Sequence, residues 1–157
     1  MSLGYIIGLM SSTLQGPVHI IQWTSKFTRK RVKSSLGGEI FALSEMWDHM
    51  EMIREFYGPL GHPKIRAYGL IDCEKLLSHL RTGRLGTEKF LTRHFRSILD
   101  AVESGDLGNV AWIPGTENPA DGLTKISSEL GPLLDVLQTG RYRPRTLDQL
   151  RGVSFLE

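Results

Sequence analysis

The sequence predicts an α/β fold in which helices pack on a mixed β-sheet. Two β-rich runs open the chain, GYIIGLM at Gly4–Met10 and VHIIQW at Val18–Trp23. A long segment with helical periodicity follows them, and extended apolar runs then alternate with helical segments. With 157 residues, the chain is long enough for one domain with a sizeable core.

The two opening runs predict a β-hairpin, because a polar segment containing Gly and Pro joins them. Trp23 ends the second run and Trp112 ends a later one, so both are expected in the core rather than as platforms for base stacking. A basic segment, KFTRKRVK, follows the hairpin, and no Asp or Glu occurs before Glu39.

Residues Leu36–Tyr57 predict a long helix with one apolar face. When each residue advances by about 100°, the side chains within about 40° of Glu39 are apolar or aromatic. They are Leu43, Met46, Met50, Ile53 and Tyr57. Glu39 is therefore predicted to lie on the apolar face, and Gly58 and Pro59 end the helix.

The remaining elements are predicted from shorter patterns. In order, they are a strand at Ile65–Ile71, helices at Glu74–Leu80 and Thr87–Ser104, a strand at Asn109–Ile113, a short helix begun by Pro119, and a last helix at Ser128–Leu137. Residues 1–138 are assigned to the α/β domain and residues 139–157 to a basic C-terminal tail.

Composition excludes several classes of protein. Cys73 is the only cysteine, which rules out an intramolecular disulfide framework and a thiolate-rich metal site. The run Tyr5–Met10 is too short for a membrane span and has no basic lead-in for a signal peptide. A cytoplasmic or nuclear location is expected.

The net charge is only +2, but the excess of basic residues is concentrated before Glu39 and favours an anionic partner.

Three acidic residues occupy unusual positions. Glu39 lies on an apolar helix face, Asp72 follows a buried strand, and Asp121 lies just beyond the next strand. Each also has an ordinary explanation, since Glu39 could favour the helix dipole and the two Asp residues could cap helices. Together they could meet at one end of a sheet, where functional groups of α/β proteins collect.

A metal site whose protein ligands are all carboxylates would suit Mg²⁺ or Mn²⁺. The five histidines are scattered and form no metal pair at helical spacing: His19, His49, His62, His79 and His94. Of these, His94 in TRHFR is the candidate to face a substrate.

Basic residues predict contacts with a phosphate backbone, although such clusters are often only solvated surface. The candidate nucleic-acid-binding residues are Lys26, Arg29, Lys30, Arg31, Arg81, Arg84, Arg93 and His94.

Several phrases in a fixed order resemble the ribonuclease H domain at the end of the Pol polyprotein of copia-type LTR retrotransposons. They are GYIIGL, IIQWTSK, SSLGGEIFAL, the strand ending in Asp72, FLTRHFRSI and WIPGTENPADGLTK. The resemblance covers Gly4 to Lys125, and LLDVLQTGRY extends it more weakly. WTSK and NPADGLTK are its most specific pieces.

The resemblance implies a five-stranded mixed sheet with helices on both faces and four catalytic acids. Glu39 matches the acid of the first helix, Asp72 the acid at the end of a strand, and Asp121 the late acid. The family's first strand, which carries the fourth acid, would precede GYIIGL. The expectation is that this strand and its Asp are missing and that an edge within the sheet is left unpaired. The chain would then be a fragment, a gene remnant or a wrongly started reading frame.

The implied activity is two-metal hydrolysis of the RNA strand in an RNA–DNA hybrid, with Mg²⁺ or Mn²⁺ ions ~4 Å apart. Glu39, Asp72 and Asp121 would be both the catalytic residues and the metal ligands. A reverse transcriptase domain of the same polyprotein is the implied protein partner. Without the first acid, activity is expected to be weak or absent. The alternatives are a non-catalytic nucleic-acid-binding remnant and a relic without selected activity.

Overall fold

The structure is a computed structural model, and it describes residues 2–11, 13–29, 34–62, 65–86, 89–125, 130–146 and 148–149. These residues form a mixed α/β fold, as the sequence predicts. Their strands form two small sheets, and a long helix contacts a strand of each sheet.

The predicted hairpin is confirmed, and both of its strands are longer than the sequence pattern indicated. β1 (Ser2–Met10) pairs antiparallel with β2 (Gly16–Phe27) from Ser2 opposite Phe27 to Met10 opposite Val18. Leu3, Tyr5 and Ile7 are buried on one face of β1. Leu14, in the turn before β2, and Gly16, the first residue of β2, have positive φ, a conformation that glycine adopts more readily than other residues.

The predicted long helix is also confirmed as α1 (Ser35–Tyr57). Its apolar face is buried, including Ile40, Leu43, Met46 and Met50. The Ser34 side chain caps the helix by accepting a hydrogen bond from the Gly37 backbone N–H at 3.1 Å. Such a cap satisfies one of the backbone donors that the first helical turn leaves without a partner.

Ser34→Ala is expected to lower the free energy of unfolding by about 1 kcal/mol, because it removes this cap. Urea denaturation monitored by circular dichroism measures the change. Ser35→Ala is the matched control, since Ser35 is exposed and does not supply the cap. An equal loss in both variants would contradict the capping role.

A second sheet forms around two parallel strands. β3 (Ala67–Ile71) pairs parallel with β4 (Leu107–Trp112), and β6 (Asp148–Gln149) pairs antiparallel with β4. The crossover contains α2 (Glu74–Thr82) and α3 (Thr92–Ser104). The α3 helix begins five residues later than predicted, after a 3₁₀ turn at Lys89–Leu91.

α1 joins the two sheets, since it packs against β1, β3, α2 and α3. Phe95 and Ile98 of α3 are fully buried in the same core. The last helix, α4 (Gly131–Thr139), packs on a 3₁₀ helix at Pro119–Leu123. It begins later than the predicted start at Ser128, and residues 126–129 lie outside the described residues.

The sheet arrangement differs from the single five-stranded sheet that the resemblance implies. Among the described residues, the strands form two three-stranded sheets in the orders β1-β2-β5 and β3-β4-β6, where β5 is Arg141–Tyr142. β1 and β3 are therefore both edge strands. The two short strands β5 and β6 come from the segment predicted as a basic C-terminal tail.

Trp23 contradicts the prediction that it lies in the core. Its side chain is 66% exposed, on the same face of β2 as the exposed Phe27. Strand alternation explains the error, because only every second residue of β2 faces inward. Trp112 is half-buried and packs against the core, as expected.

Candidate functional site

The three predicted acids come from three elements that end near one another. Glu39 lies in the second turn of α1, Asp72 directly follows β3, and Asp121 lies in the 3₁₀ helix Pro119–Leu123. The charges of Asp72 and Asp121 both act on Glu39 strongly enough to shift its pKa. The structure therefore brings together all three residues.

Gly115 marks the space that the two aspartates share. A Cβ atom at Gly115 would lie 3.6 Å from Oδ2 of Asp72 and 3.6 Å from Oδ2 of Asp121. Both carboxylates thus border the same small space beside this loop. The absence of a side chain at Gly115 keeps that space open.

Backbone hydrogen bonds at the end of the parallel strand pair hold Asp72 in position. The Ile113 N–H donates to the Ile71 carbonyl oxygen at 2.8 Å, which extends the pairing of β3 and β4 to the residue before Asp72. Nε1 of Trp112 donates to the Asp72 carbonyl oxygen at 3.0 Å. Cys73, and not Asp72, is the N-cap residue of α2. The Asp72 side chain is therefore not used as a helix cap.

Asp121 is positioned by the turn that begins at Asn118. The Asn118 side chain accepts a hydrogen bond from the Ala120 N–H at 3.0 Å and caps the 3₁₀ helix. Asp121 is 8% exposed, one of few buried charged residues among those described. Its Oδ2 accepts a hydrogen bond from Nζ of Lys125 at 2.8 Å, an i, i+4 ion pair.

Glu39 has a strongly raised pKa. Burial, and after it the negative charges of Asp72 and then Asp121, raise the pKa of Glu39 from 4.5 to about 7. The Lys125 ammonium acts in the opposite direction. A carboxyl group on an apolar helix face beside two other carboxylates is costly to ionise, because its charge loses water and meets like charge.

The pKa of Asp121 is also raised. Burial is the main cause, the hydrogen bond from Lys125 opposes it, and the Asp72 carboxylate adds to the rise. The site therefore holds more negative charge than Lys125 compensates. A bound cation would lower the free energy of such a cluster.

The donor set suits a hard divalent ion, since all three predicted ligands offer only oxygen. Among the residues that the structure describes, however, no three Asp, Glu, His or Cys side chains are arranged so that they could hold one metal ion. Lys125 neutralises part of the cluster instead. The residues fit a metal in type and charge, and binding would require Lys125 to release Asp121 and the carboxylates to draw closer.

The predicted nucleic-acid-binding residues that the structure describes differ in their exposure and in their contacts. Arg29, Arg81, Arg84 and Arg93 are exposed. Lys26 is engaged in an ion pair with Glu45, and Lys30 and Arg31 lie outside the described residues. His94 is half-buried; its Nδ1 lies 3.1 Å from Oγ of Ser44, and its ring meets the edge of Phe41. His94 is thus anchored to α1.

Lys125 is the residue that sequence reasoning missed. Its signal was present in ADGLTK, because a Lys four residues after an Asp can pair with it along a helical turn. Gly115 gave no signal, since only the fold shows which carboxylates surround it.

Within the described residues, none of the helices combines the length and the hydropathy required of a membrane span. Comparison with known proteins gives no match: no family model, no curated protein and no solved structure matches this chain.

Proposed function

We infer that this chain is a ribonuclease H-like domain of retrotransposon type, with weak metal-dependent hydrolysis of RNA in RNA–DNA hybrids. The proposal rests on one observation above all. The family resemblance selects Glu39, Asp72 and Asp121; the charges of Asp72 and Asp121 raise the pKa of Glu39, and the charge of Asp72 raises the pKa of Asp121. Glu39 and Asp72 are 33 positions apart in the sequence, and Asp72 and Asp121 are 49 positions apart. Closeness along the chain therefore does not explain these electrostatic effects.

The carboxylates of Glu39, Asp72 and Asp121 would hold Mg²⁺ or Mn²⁺. When bound, such ions activate water and stabilise the oxygen that leaves phosphorus. The chain's own contribution is to place negative charge at the end of β3 and to keep it partly shielded from water. Lys125 would have to leave Asp121 before that carboxylate could bind an ion.

The hybrid would be held mainly through its backbone. Exposed Arg29, Arg81, Arg84 and Arg93 can contact phosphates, which gives affinity that falls steeply with salt. Contacts to 2′-hydroxyl groups would distinguish the RNA strand from DNA. By the same resemblance, a reverse transcriptase domain of one polyprotein is the proposed protein partner.

A second candidate is a non-catalytic nucleic-acid-binding remnant. It is favoured by the Lys125–Asp121 ion pair and by the lack of a three-ligand metal group among the described residues. The two candidates differ in how they depend on metal. A nuclease requires Mg²⁺ or Mn²⁺ for cleavage, whereas a remnant binds the hybrid equally well without either ion.

Cleavage of a labelled RNA–DNA hybrid tests the proposal. With Mg²⁺ or Mn²⁺ we expect slow cleavage of the RNA strand, lost in Asp72→Asn and retained in Asp100→Asn, a control at an exposed position of α3. Hybrid binding in EDTA should be equal in all three proteins. Binding without cleavage would favour the remnant, and rapid turnover abolished by Asp72→Asn would contradict the expectation of weak activity. A chain that neither cleaves nor binds the hybrid would overturn both.

A further inference from the structure

Two aromatic rings project into solvent from one face of β2. The side chain of Trp23 is 66% exposed and that of Phe27 is 77% exposed. Residues 23–27 of β2 pair with β1 without interruption, so side chains at alternate positions share one face of the strand. The Cα atoms of Trp23 and Phe27, four positions apart, are therefore separated by ~13 Å. The two rings lie side by side on one surface.

The neighbours of the rings on the hairpin are small. Ser25 lies between Trp23 and Phe27 on the same face, and the cross-strand partners of Ser25 and Phe27 are Gly4 and Ser2. Neither ring belongs to a core cluster of the described residues. Most of each ring is thus accessible to a planar group.

The chain around the rings is basic. No Asp or Glu occurs from Met1 to Gly38. Lys26 is compensated by its ion pair with Glu45, but Arg29 is exposed. Four of the six positions after Phe27 carry a cationic residue, and the last three of these residues lie outside the described residues: Arg29, Lys30, Arg31 and Lys33. This charge complements a polyanion.

Aromatic rings and cations together indicate the chemical class of the ligand. The bases of a single-stranded nucleic acid stack on exposed aromatic side chains, while its phosphates meet cations. The bases of an RNA–DNA hybrid are already stacked on one another within the duplex, so a hybrid has little use for the rings. An apolar peptide would use the rings but not the charge. The ligand that uses both is a single strand.

We propose that Trp23 and Phe27 form an aromatic platform on which bases of a single-stranded nucleic acid stack, while the flanking phosphates contact Arg29 and the basic residues that follow it. Every base has a π-face, so the platform accepts DNA and RNA strands of varied sequence. The inference does not rest on the proposed function, because the platform requires neither the carboxylate cluster nor a metal ion.

Binding of an oligothymidine of about ten nucleotides, measured in EDTA, tests the proposal. The matched probe is an abasic strand of the same length, which keeps the phosphates and lacks the bases. In Trp23→Ala and in Phe27→Ala, affinity for oligothymidine should fall at least about fivefold, the lower end of what stacking on one ring contributes. Affinity for the abasic strand should stay unchanged. Oligouridine extends the same comparison to RNA.

Tryptophan fluorescence reports the contact itself. Of the three tryptophans, Trp47 is buried and Trp112 is half-buried, whereas Trp23 is largely exposed. A base stacked on Trp23 should quench its emission. The quenching should be lost in Trp23→Phe, while the affinity for oligothymidine is largely retained because an aromatic ring is still present.

Two controls separate stacking from general effects. Phe56→Ala removes another exposed ring, 67% exposed on α1, and should leave the affinity for oligothymidine unchanged. A blunt-ended RNA–DNA hybrid should bind Trp23→Ala as tightly as the wild-type protein. Because the substituted side chains are exposed, all variants should melt at the wild-type temperature.

Equal affinity of the wild-type protein for base-bearing and abasic strands would overturn the proposal, because phosphate contacts alone would then explain binding. An unchanged affinity of Trp23→Ala for both base-bearing strands, or an equal loss of affinity for the hybrid, would have the same consequence. Self-association that shields Trp23 without any oligonucleotide would assign this face to a second copy of the chain and would also overturn it, as would absence of binding to both strands.

Discussion

Replacing Glu39 with Gln is expected to raise the free energy of unfolding by about 2–3 kcal/mol at pH 8. In the folded protein, burial and the charges of Asp72 and Asp121 raise the pKa of Glu39 from 4.5 to about 7. Above pH 7 the wild-type protein must keep a charge that its surroundings disfavour. A neutral amide of similar shape removes that cost.

The raised pKa of Glu39 determines how the stability of the wild-type protein changes with pH. An acid whose pKa is raised by folding keeps its proton longer in the folded state than in the unfolded state, so wild-type stability falls as pH rises from about 4.5 to about 7. Urea denaturation at pH 4 and pH 8 should show a difference between the proteins only at pH 8. Glu51→Gln, at an exposed position of α1, is the matched control. A loss of stability in Glu39→Gln at pH 8 would contradict this account.

Asp72→Asn is expected to weaken Mg²⁺ or Mn²⁺ binding by about 100-fold or more. Replacing a residue that only hydrogen-bonds to a metal ligand typically lowers metal affinity by about 10–100-fold. Replacing a ligand itself should lower the affinity at least as much. In the wild-type protein, saturating ion should raise the melting temperature, because ligands that bind only the folded state stabilise it. The rise should be larger at pH 8 than at pH 5, since protons compete for Glu39.

Thermal melting over a range of Mn²⁺ concentrations measures this effect. Asp100→Asn is the control, because Asp100 is exposed on α3 and its substitution changes the net charge by the same amount as Asp72→Asn. An equal response to Mn²⁺ in Asp72→Asn and Asp100→Asn would place the ion elsewhere on the surface.

Much of the local structure could be predicted from the sequence. The β-rich runs of the hairpin and the apolar periodicity around Glu39 are contained within short stretches, and both elements form as expected. The turn before Asp121 was also predictable, because Asn118 and Pro119 have local preferences for capping and for the first helical turn.

Features that depend on distant parts of the chain were not predictable. β5 and β6 are only two residues each, and their pairing with β2 and β4 leaves no pattern in a segment that reads as a basic tail. The approach of Asp72 and Asp121 to the space beside Gly115 depends on how β3 and the 3₁₀ helix pack.

The central claim is that Glu39, Asp72 and Asp121 share one cation-attracting pocket. Titration of the Glu39 carboxyl carbon by NMR tests it most directly. The account predicts a pKa of about 7 in the wild-type protein, a lower pKa in Asp72→Asn, and a lower pKa when Mg²⁺ is added. A Glu39 carboxyl that titrates near 4.5 and responds to neither change would contradict the claim.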